Sequence, residues 1–188
     1  MRDIDLWKQL CAGDKNAMKK IYDNYAKVIL QYGYKICKDR PVVEDALQEI
    51  FIHCWEKRKT LPEVFHIKSY MFTAIRRKIY RKMNYRPEWK SLEENDSGFF
   101  DPGFNINNRF FHNTEGDKKL IDKVRKTITQ LSTRQKEIVY LMYFEGMDYE
   151  EIEQIMGIKY QSSRNLLSKA LKNLRDLSVL VLFISFFQ

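Results

Sequence analysis

The sequence has little proline, glycine or cysteine. Its 188 residues include four prolines, seven glycines and three cysteines. So few turn-forming residues disfavour turn-rich all-β folds and exclude collagen-like or low-complexity chains. The cysteines, Cys11, Cys37 and Cys54, are odd in number and form no C-x-x-C pair. This usage predicts free thiols, no disulfide framework and a cytoplasmic location.

Long hydrophobic runs and catalytic motifs are also missing. Asp3 and Asp5 lie where a signal peptide would be apolar. The most apolar stretch, residues 177–187, is much shorter than the roughly 20 residues that a bilayer-spanning helix needs. No P-loop, dinucleotide-binding glycine motif or nucleophile elbow occurs, and the three histidines are scattered. We therefore expect no membrane span, no enzymatic activity, no metal site and no cofactor.

The positive charge of the chain is concentrated in one segment. The formal net charge is +8, and residues 56–90 contain 11 Lys and Arg residues but only three Asp and Glu residues. The rest of the chain carries 22 residues of each sign. A local positive field of this kind attracts phosphate backbones or anionic membrane surfaces. A solvated, lysine-rich helix face is the alternative interpretation.

Apolar residues recur at intervals of three and four along most of the chain, which predicts an all-α protein. In residues 1–84 the pattern predicts four helices that close a small bundle core. Asp14 is the expected N-cap of the second helix, and Pro41 suits the first turn of the third. The fourth helix is expected over residues 67–83, inside the basic segment.

Residues 85–117 show no helical period, and we interpret them as a flexible linker between two small helical domains. They nevertheless contain five phenylalanines, although exposed aromatic side chains add no stability to a solvated linker. These side chains either dock on a domain or contact a partner. They are Phe99, Phe100, Phe104, Phe110 and Phe111.

Residues 118–176 regain a helical period and are predicted to form the second domain. Capping-box patterns occur in S-T-R-Q at residues 132–135 and in D-Y-E-E at residues 148–151. The second pattern opens a short helix, and Gly157 separates it from a final helix that begins near Gln161. This is helix-turn-helix spacing, although a plain helical hairpin has the same apolar pattern.

Residues 177–188 form an apolar tail beyond this domain. Apolar side chains would lie on all sides of a helix there, whereas docking on one domain needs only one apolar stripe. We expect the tail to bind another protein, and docking on its own C-terminal domain is the alternative.

Three motifs resemble those of bacterial sigma factors, in the order in which that family has them. VEDALQEIF at residues 43–51, with Trp55 one turn later, resembles the helix that binds core RNA polymerase. IKSYMFTAIRR at residues 67–77 resembles the promoter-opening helix. LSTRQKEIV at residues 131–139, followed by the helix-turn-helix, resembles the C-terminal domain. The two-domain layout is similar to that of the extracytoplasmic-function group and covers nearly the whole chain.

The resemblance implies a transcription initiation factor that directs core polymerase to promoters and helps to melt the −10 region. Its partners would be the clamp coiled coil of core RNA polymerase, with the flap as a further candidate, promoter DNA, and an anti-sigma or recruiting protein. The polymerase contact would comprise Asp45, Gln48, Glu49, Phe51 and Trp55. The melted −10 strand would be held by Phe65, His66, Lys68, Tyr70, Arg76, Arg77 and Arg81. The −35 element would be read by Gln161, Ser162, Ser163, Arg164, Asn165, Ser168 and Lys169.

Two other functions remain open at this point. A conventional DNA-binding regulator, with an N-terminal ligand-binding or dimerisation bundle, would bind operator duplex without polymerase. A membrane-surface protein would use the basic segment and the tail. The discriminating feature is the acidic and aromatic pattern of residues 45–55, which only the sigma-factor interpretation explains.

Overall fold

The computed structural model describes residues 2–84, 100–101, 128 and 130–174. These residues form helices and no strands, which confirms the predicted all-α class. The chain divides into two compact units, one containing the described residues up to 84 and the other almost all of those from residue 100 onwards. The predicted linker, apart from Phe100 and Asp101, and the predicted tail lie outside the described residues.

The N-terminal unit consists of four α-helices. They are α1 (Asp3–Cys11), α2 (Lys15–Ile36), α3 (Arg40–Glu56) and α4 (Ile67–Asn84), with a short 3₁₀ turn at Arg58–Thr60 between α3 and α4. Helix α4 packs against both α2 and α3. The basic segment therefore has one face in the core of the unit and another in solvent.

Capping side chains fix the starts of α2 and α3. Asp14 accepts a hydrogen bond from a backbone N–H of α2 at 2.8 Å, which confirms it as the N-cap. Asp39 does the same for α3 at 3.3 Å, and Pro41 lies in the first turn of that helix, as predicted. These local signals explain why the helix starts were readable in the sequence.

The core of the N-terminal unit depends on a close approach of three helices. Tyr32 of α2 stacks on Phe72 of α4, with ring centroids 4.4 Å apart. At Gly33, a Cβ atom would lie 2.5 Å from Cγ1 of Val43 and 3.3 Å from Cδ1 of Ile79. Any side chain at this position would collide with α3, so the absence of one allows α2 to pack closely.

The C-terminal unit contains a helix-turn-helix. In its described residues 130–174, the helices are α5 (Thr133–Val139), which continues into a π-helical turn at Tyr140–Phe144, then α6 (Tyr149–Met156) and α7 (Tyr160–Asn173). Both predicted capping boxes are present, at the starts of α5 and α6. Gly157 ends α6 with a φ of +66°, a conformation that glycine adopts without strain.

One phenylalanine of the predicted linker packs within the C-terminal unit. Phe100 is 5% exposed, and its ring meets that of Tyr140 edge to face at a centroid distance of 5.7 Å. For this residue, docking on a domain is therefore the correct alternative. The other four phenylalanines lie outside the described residues.

Candidate functional sites

The outward face of α3 combines polar side chains with one large apolar side chain. Asp45 and Gln48 are exposed, and Ile52, one turn beyond Gln48, is 56% exposed. Spacings of three and four residues place all three on one face of the helix. An apolar side chain kept in water beside polar groups is typical of a protein contact. Sequence reasoning missed Ile52, although its spacing from Gln48 was a usable signal.

The two aromatic residues predicted for this face differ in their surroundings. Phe51 is 6% exposed and packs edge to face against Tyr22 at a centroid distance of 4.9 Å. It belongs to the core, which corrects the expectation that its ring anchors a partner. Trp55 is partly exposed, and the Arg58 guanidinium lies 4.6 Å from its ring centroid. Arg58 also donates a hydrogen bond to the Trp55 carbonyl at 2.7 Å, which holds this stacked pair at the end of α3.

Glu49 is bound inside the N-terminal unit rather than free. Its carboxylate forms ion pairs with Lys78 and Lys82 of α4, the second at 2.7 Å. Hydrogen bonds from Lys78 and then Lys82 hold the pKa of Glu49 below its usual range, so the carboxylate stays ionised. Glu49 therefore joins α3 to α4 and differs from the freely exposed Asp45 one turn earlier.

The loop that precedes α4 is fixed by α1. The Trp7 indole N–H donates to the Pro62 carbonyl at 2.9 Å. The Asp3 carboxylate accepts the backbone N–H of Ile67 at 3.0 Å and thus caps the start of α4. Between these two contacts, Val64 is buried. The loop is therefore held at both ends and in its middle.

This fixed loop presents Phe65 and His66 to solvent. Phe65 is 66% exposed, and His66 is exposed beside it. A ring on a loop that is already ordered loses little conformational freedom when it binds a ligand. Phe65 and His66 are thus open to a ligand just before the basic helix, and their contact with DNA stays a prediction.

The basic side chains of α4 have different surroundings. Arg77 and Arg81 are exposed and lie one turn apart, on one face of the helix. The Arg76 guanidinium lies 4.6 Å from the Tyr80 ring centroid. The Lys68 ammonium lies 5.8 Å from the ring centroid of Phe72. Arg77 and Arg81 are thus the charges most open to an incoming strand.

Tyr70 is partly exposed, and its stacking on DNA stays a prediction. Its ring packs edge to face on Trp7 at a centroid distance of 4.9 Å. Burial and the neighbouring Cys54 raise the pKa of Tyr70 to about 12. Burial likewise raises the pKa of Cys54 to about 12, which keeps this thiol protonated. Cys11, Cys37 and Cys54 form no disulfide with one another.

The final helix, α7, exposes six of the seven residues predicted to read the −35 element. These are Gln161, Ser162, Arg164, Asn165, Ser168 and Lys169. Ser163 is the exception, because it is fully buried and its hydroxyl donates to the Tyr160 carbonyl at 2.6 Å. It cannot reach a base, so this part of the prediction is corrected. Tyr160, which sequence reasoning missed, is 43% exposed and packs edge to face on Tyr149.

Two family models match the two units of the chain. The Sigma-70 region 2 model matches residues 21–86, and the Sigma-70, region 4 model matches residues 121–174. Together they cover more than half of the chain, in the order in which the motifs occur. The chain belongs to the sigma-70 family. This assignment confirms the predicted function as a sigma factor in promoter-directed transcription initiation, rather than a polymerase-independent regulator or a membrane-surface protein.

Individual relatives refine the assignment to the extracytoplasmic-function group. The ECF RNA polymerase sigma factor SigL of Mycobacterium tuberculosis is 21% identical over 168 residues, which cover 87% of this chain and 90% of SigL. The same relative is matched in three strains. Its coverage of both units shows that the similarity is not limited to the helix-turn-helix.

Two solved structures share the fold of this sigma factor. CnrH, solved in complex with the cytosolic domain of CnrY, has a TM-score of 0.57 at 15% identity and covers 93% of this chain and 96% of its own. RpoE of Bartonella quintana, solved with the anti-sigma factor NepR, has a TM-score of 0.56 at 19% identity, with coverages of 85% and 94%. At these identities the comparison supports the all-α fold alone.

None of the helices in residues 2–84 or 130–174 is long and apolar enough to cross a bilayer. Within the same part of the chain, no three His, Cys, Asp or Glu side chains are grouped to hold a metal ion.

Proposed function

We propose that this sigma factor binds the clamp of core polymerase through Asp45, Gln48, Ile52 and Trp55 on the outward face of α3. The observation that carries this proposal is the exposure of Ile52 between polar side chains on a helix whose inner face is already packed. An apolar centre surrounded by polar groups is the usual composition of a specific protein contact. Asp45 supplies charge complementarity to a basic partner surface.

The fixed loop and α4 form the proposed contact with the melted −10 strand. Phe65 offers a ring on which an unpaired base can stack, and Arg77 and Arg81 can pair with phosphates. Holding an unstacked base favours the open strand over the duplex, so promoter opening would need no ATP. His66, Lys68 and Arg76 lie beside this surface and complete the proposed site.

Helix α7 is the proposed reader of the −35 element. Six exposed polar side chains on its outward face can reach base edges in the major groove. Arg164 is the strongest candidate, because its guanidinium can form a bidentate contact with guanine. It lies 6.0 Å from the Tyr160 ring centroid, a contact that limits the orientations of this long side chain.

Replacing Arg164 with Ala tests this assignment. A base-reading contact is worth about 1–3 kcal/mol of discrimination, so preference at one or two −35 positions should fall about 5- to 150-fold. The measurement is holoenzyme binding to promoters that carry single substitutions across the −35 element. Lys172→Ala, which removes an equal charge further along α7, is the matched control. Equal weakening on every promoter variant would identify Arg164 as a phosphate contact and contradict base reading.

An anti-sigma protein is the proposed regulatory partner. RpoE, which shares this fold, was solved with the anti-sigma factor NepR, and CnrH was solved with the cytosolic domain of CnrY. The apolar tail, residues 177–188, is a further candidate contact for such a protein or for a recruiting factor. The factor would act in the cytoplasm and perform no chemistry of its own, since catalysis belongs to the polymerase.

A further inference from the structure

Two lysines of α4 converge on a single carboxylate of α3. Lys78 and Lys82 lie one turn apart, and each contacts a different oxygen of Glu49. The side chains of the two lysines are 22% and 27% exposed, whereas that of Glu49 is 43% exposed. The lysines are thus largely covered, while the carboxylate that covers them remains open to solvent.

Two ammonium groups around one anionic group also form a suitable site for a backbone phosphate. Lys78 and Lys82 belong to the same helix as Arg77 and Arg81, which the proposed function assigns to the melted strand. A carboxylate in this position uses the donors that a phosphate would use. Because one site cannot hold both anions at once, Glu49 and DNA compete for the two lysines.

We propose that Lys78 and Lys82 form a phosphate-binding site for single-stranded DNA, which Glu49 occupies in the free chain. The inference rests on the proposed function of α4 and extends it with an autoinhibitory contact. The contact explains how a chain with such a concentration of basic residues can keep two of its positive charges neutralised in the free state. Glu49 acts as an internal substitute for a phosphate group.

The same arrangement couples the two proposed surfaces. Glu49 lies on α3 next to Gln48 and one turn after Asp45, and its exposed side can be reached by a basic group of a docking partner. Glu49 is 43% exposed, and ion pairs whose carboxylate is open to solvent are weak, so exchanging one set of cations for another costs little. When α3 docks on polymerase, Glu49 would therefore pair with a basic group of the partner. Lys78 and Lys82 would then be able to bind the melted strand.

Removal of the Glu49 charge tests this proposal on the free, full-length chain. Binding of a fluorescein-labelled oligothymidylate is measured over a range of salt concentrations for the wild type and for Glu49→Gln. The variant should bind about three- to tenfold more tightly. Its plot of log affinity against log salt should be steeper by about 1.4, because two phosphates on a single strand contribute about 0.7 each.

Matched variants separate lysine release from a simple change in net charge. Glu56→Gln removes an equal charge from an exposed position of α3 without freeing either lysine, so its binding should stay near that of the wild type. Combining Glu49→Gln with Lys78→Gln and Lys82→Gln should return the affinity and the salt slope to wild-type values. Equal gains in the Glu49 and Glu56 variants, or no gain in the Glu49 variant, would overturn the proposal.

A second comparison remains decisive even if Glu49→Gln does not fold. The double variant Lys78→Gln, Lys82→Gln should leave DNA binding by the free chain unchanged, because these lysines are already occupied, and should weaken promoter opening by the holoenzyme. A loss of DNA binding by the free double variant would contradict the occupied site. Holoenzyme assembly, measured separately, reports on the proposed function and not on the occupation of the two lysines by Glu49.

Discussion

Replacing Ile52 with Asp should reduce the affinity of this sigma factor for core polymerase about 10- to 100-fold. The substitution removes apolar area from the centre of the proposed contact and places a charge where the partner would desolvate it. Because Ile52 is already 56% exposed, the change should leave the melting temperature of the free chain nearly unaltered. Affinity can be measured by fluorescence anisotropy of labelled sigma factor titrated with core polymerase.

His53 provides the matched control for this substitution. It is exposed and adjacent in sequence, but one residue along a helix turns the side chain to a different face. His53→Asp should therefore retain near wild-type affinity. If Ile52→Asp binds as tightly as the wild type, or if both variants lose affinity equally, the outward face of α3 is not the polymerase contact.

The second large effect is expected from Phe65. Replacing it with Ala should reduce open-complex formation about 5- to 150-fold, because a stacked base is worth about 1–3 kcal/mol. Polymerase binding should not change, since the anchors of the loop, the Trp7–Pro62 and Asp3–Ile67 hydrogen bonds, do not involve this side chain. Permanganate reactivity of thymines in the −10 region measures the open state directly.

Two conservative replacements distinguish stacking from simple apolar contact at this position. Phe65→Tyr retains an aromatic face and should open promoters almost as well as the wild type. Phe65→Leu retains apolar volume but has no aromatic face, and should be nearly as defective as Phe65→Ala. Normal opening by the Leu variant would show that base stacking is not the role of Phe65.

Local sequence signals predicted the helices well because the contacts that start and end them are local. The capping boxes of α5 and α6 each use residues three positions apart, and Gly157 ends α6 through its own backbone conformation. Asp14 and Pro41 are similar cases in the N-terminal unit. Each of these features depends on neighbours that can be read directly in the sequence.

The functional surfaces were harder to predict because they depend on contacts between distant residues. The bond between Lys82 and Glu49 joins residues 33 positions apart, so the sequence could show two charges but not their pairing. Tyr70 is only partly exposed because Trp7, far away in the chain, packs against its ring. An aromatic residue in a basic helix has the same appearance in a sequence whether it faces DNA or the core.

Adjacent apolar residues in α3 explain the error at Phe51. The run from Ile50 to Ile52 offers three apolar side chains in succession, and helical geometry can turn only part of such a run inwards. The packing of Phe51 on Tyr22 decides which side chain is buried and leaves Ile52 in solvent. The spacing of Ile52 from Gln48 favoured its exposure, but the packing of Phe51 on Tyr22 was needed to decide between the two side chains.

Transcription with purified components tests the central claim most directly. Core polymerase is incubated with genomic DNA fragments alone, with this sigma factor, or with its Ile52→Asp variant, and the 5′ ends of the transcripts are mapped. We predict a set of start sites that requires both the wild-type chain and core polymerase and that shares −35 and −10 elements at fixed spacing. Protection of duplex DNA by the chain alone, with no start site that depends on adding it to core polymerase, would contradict the account.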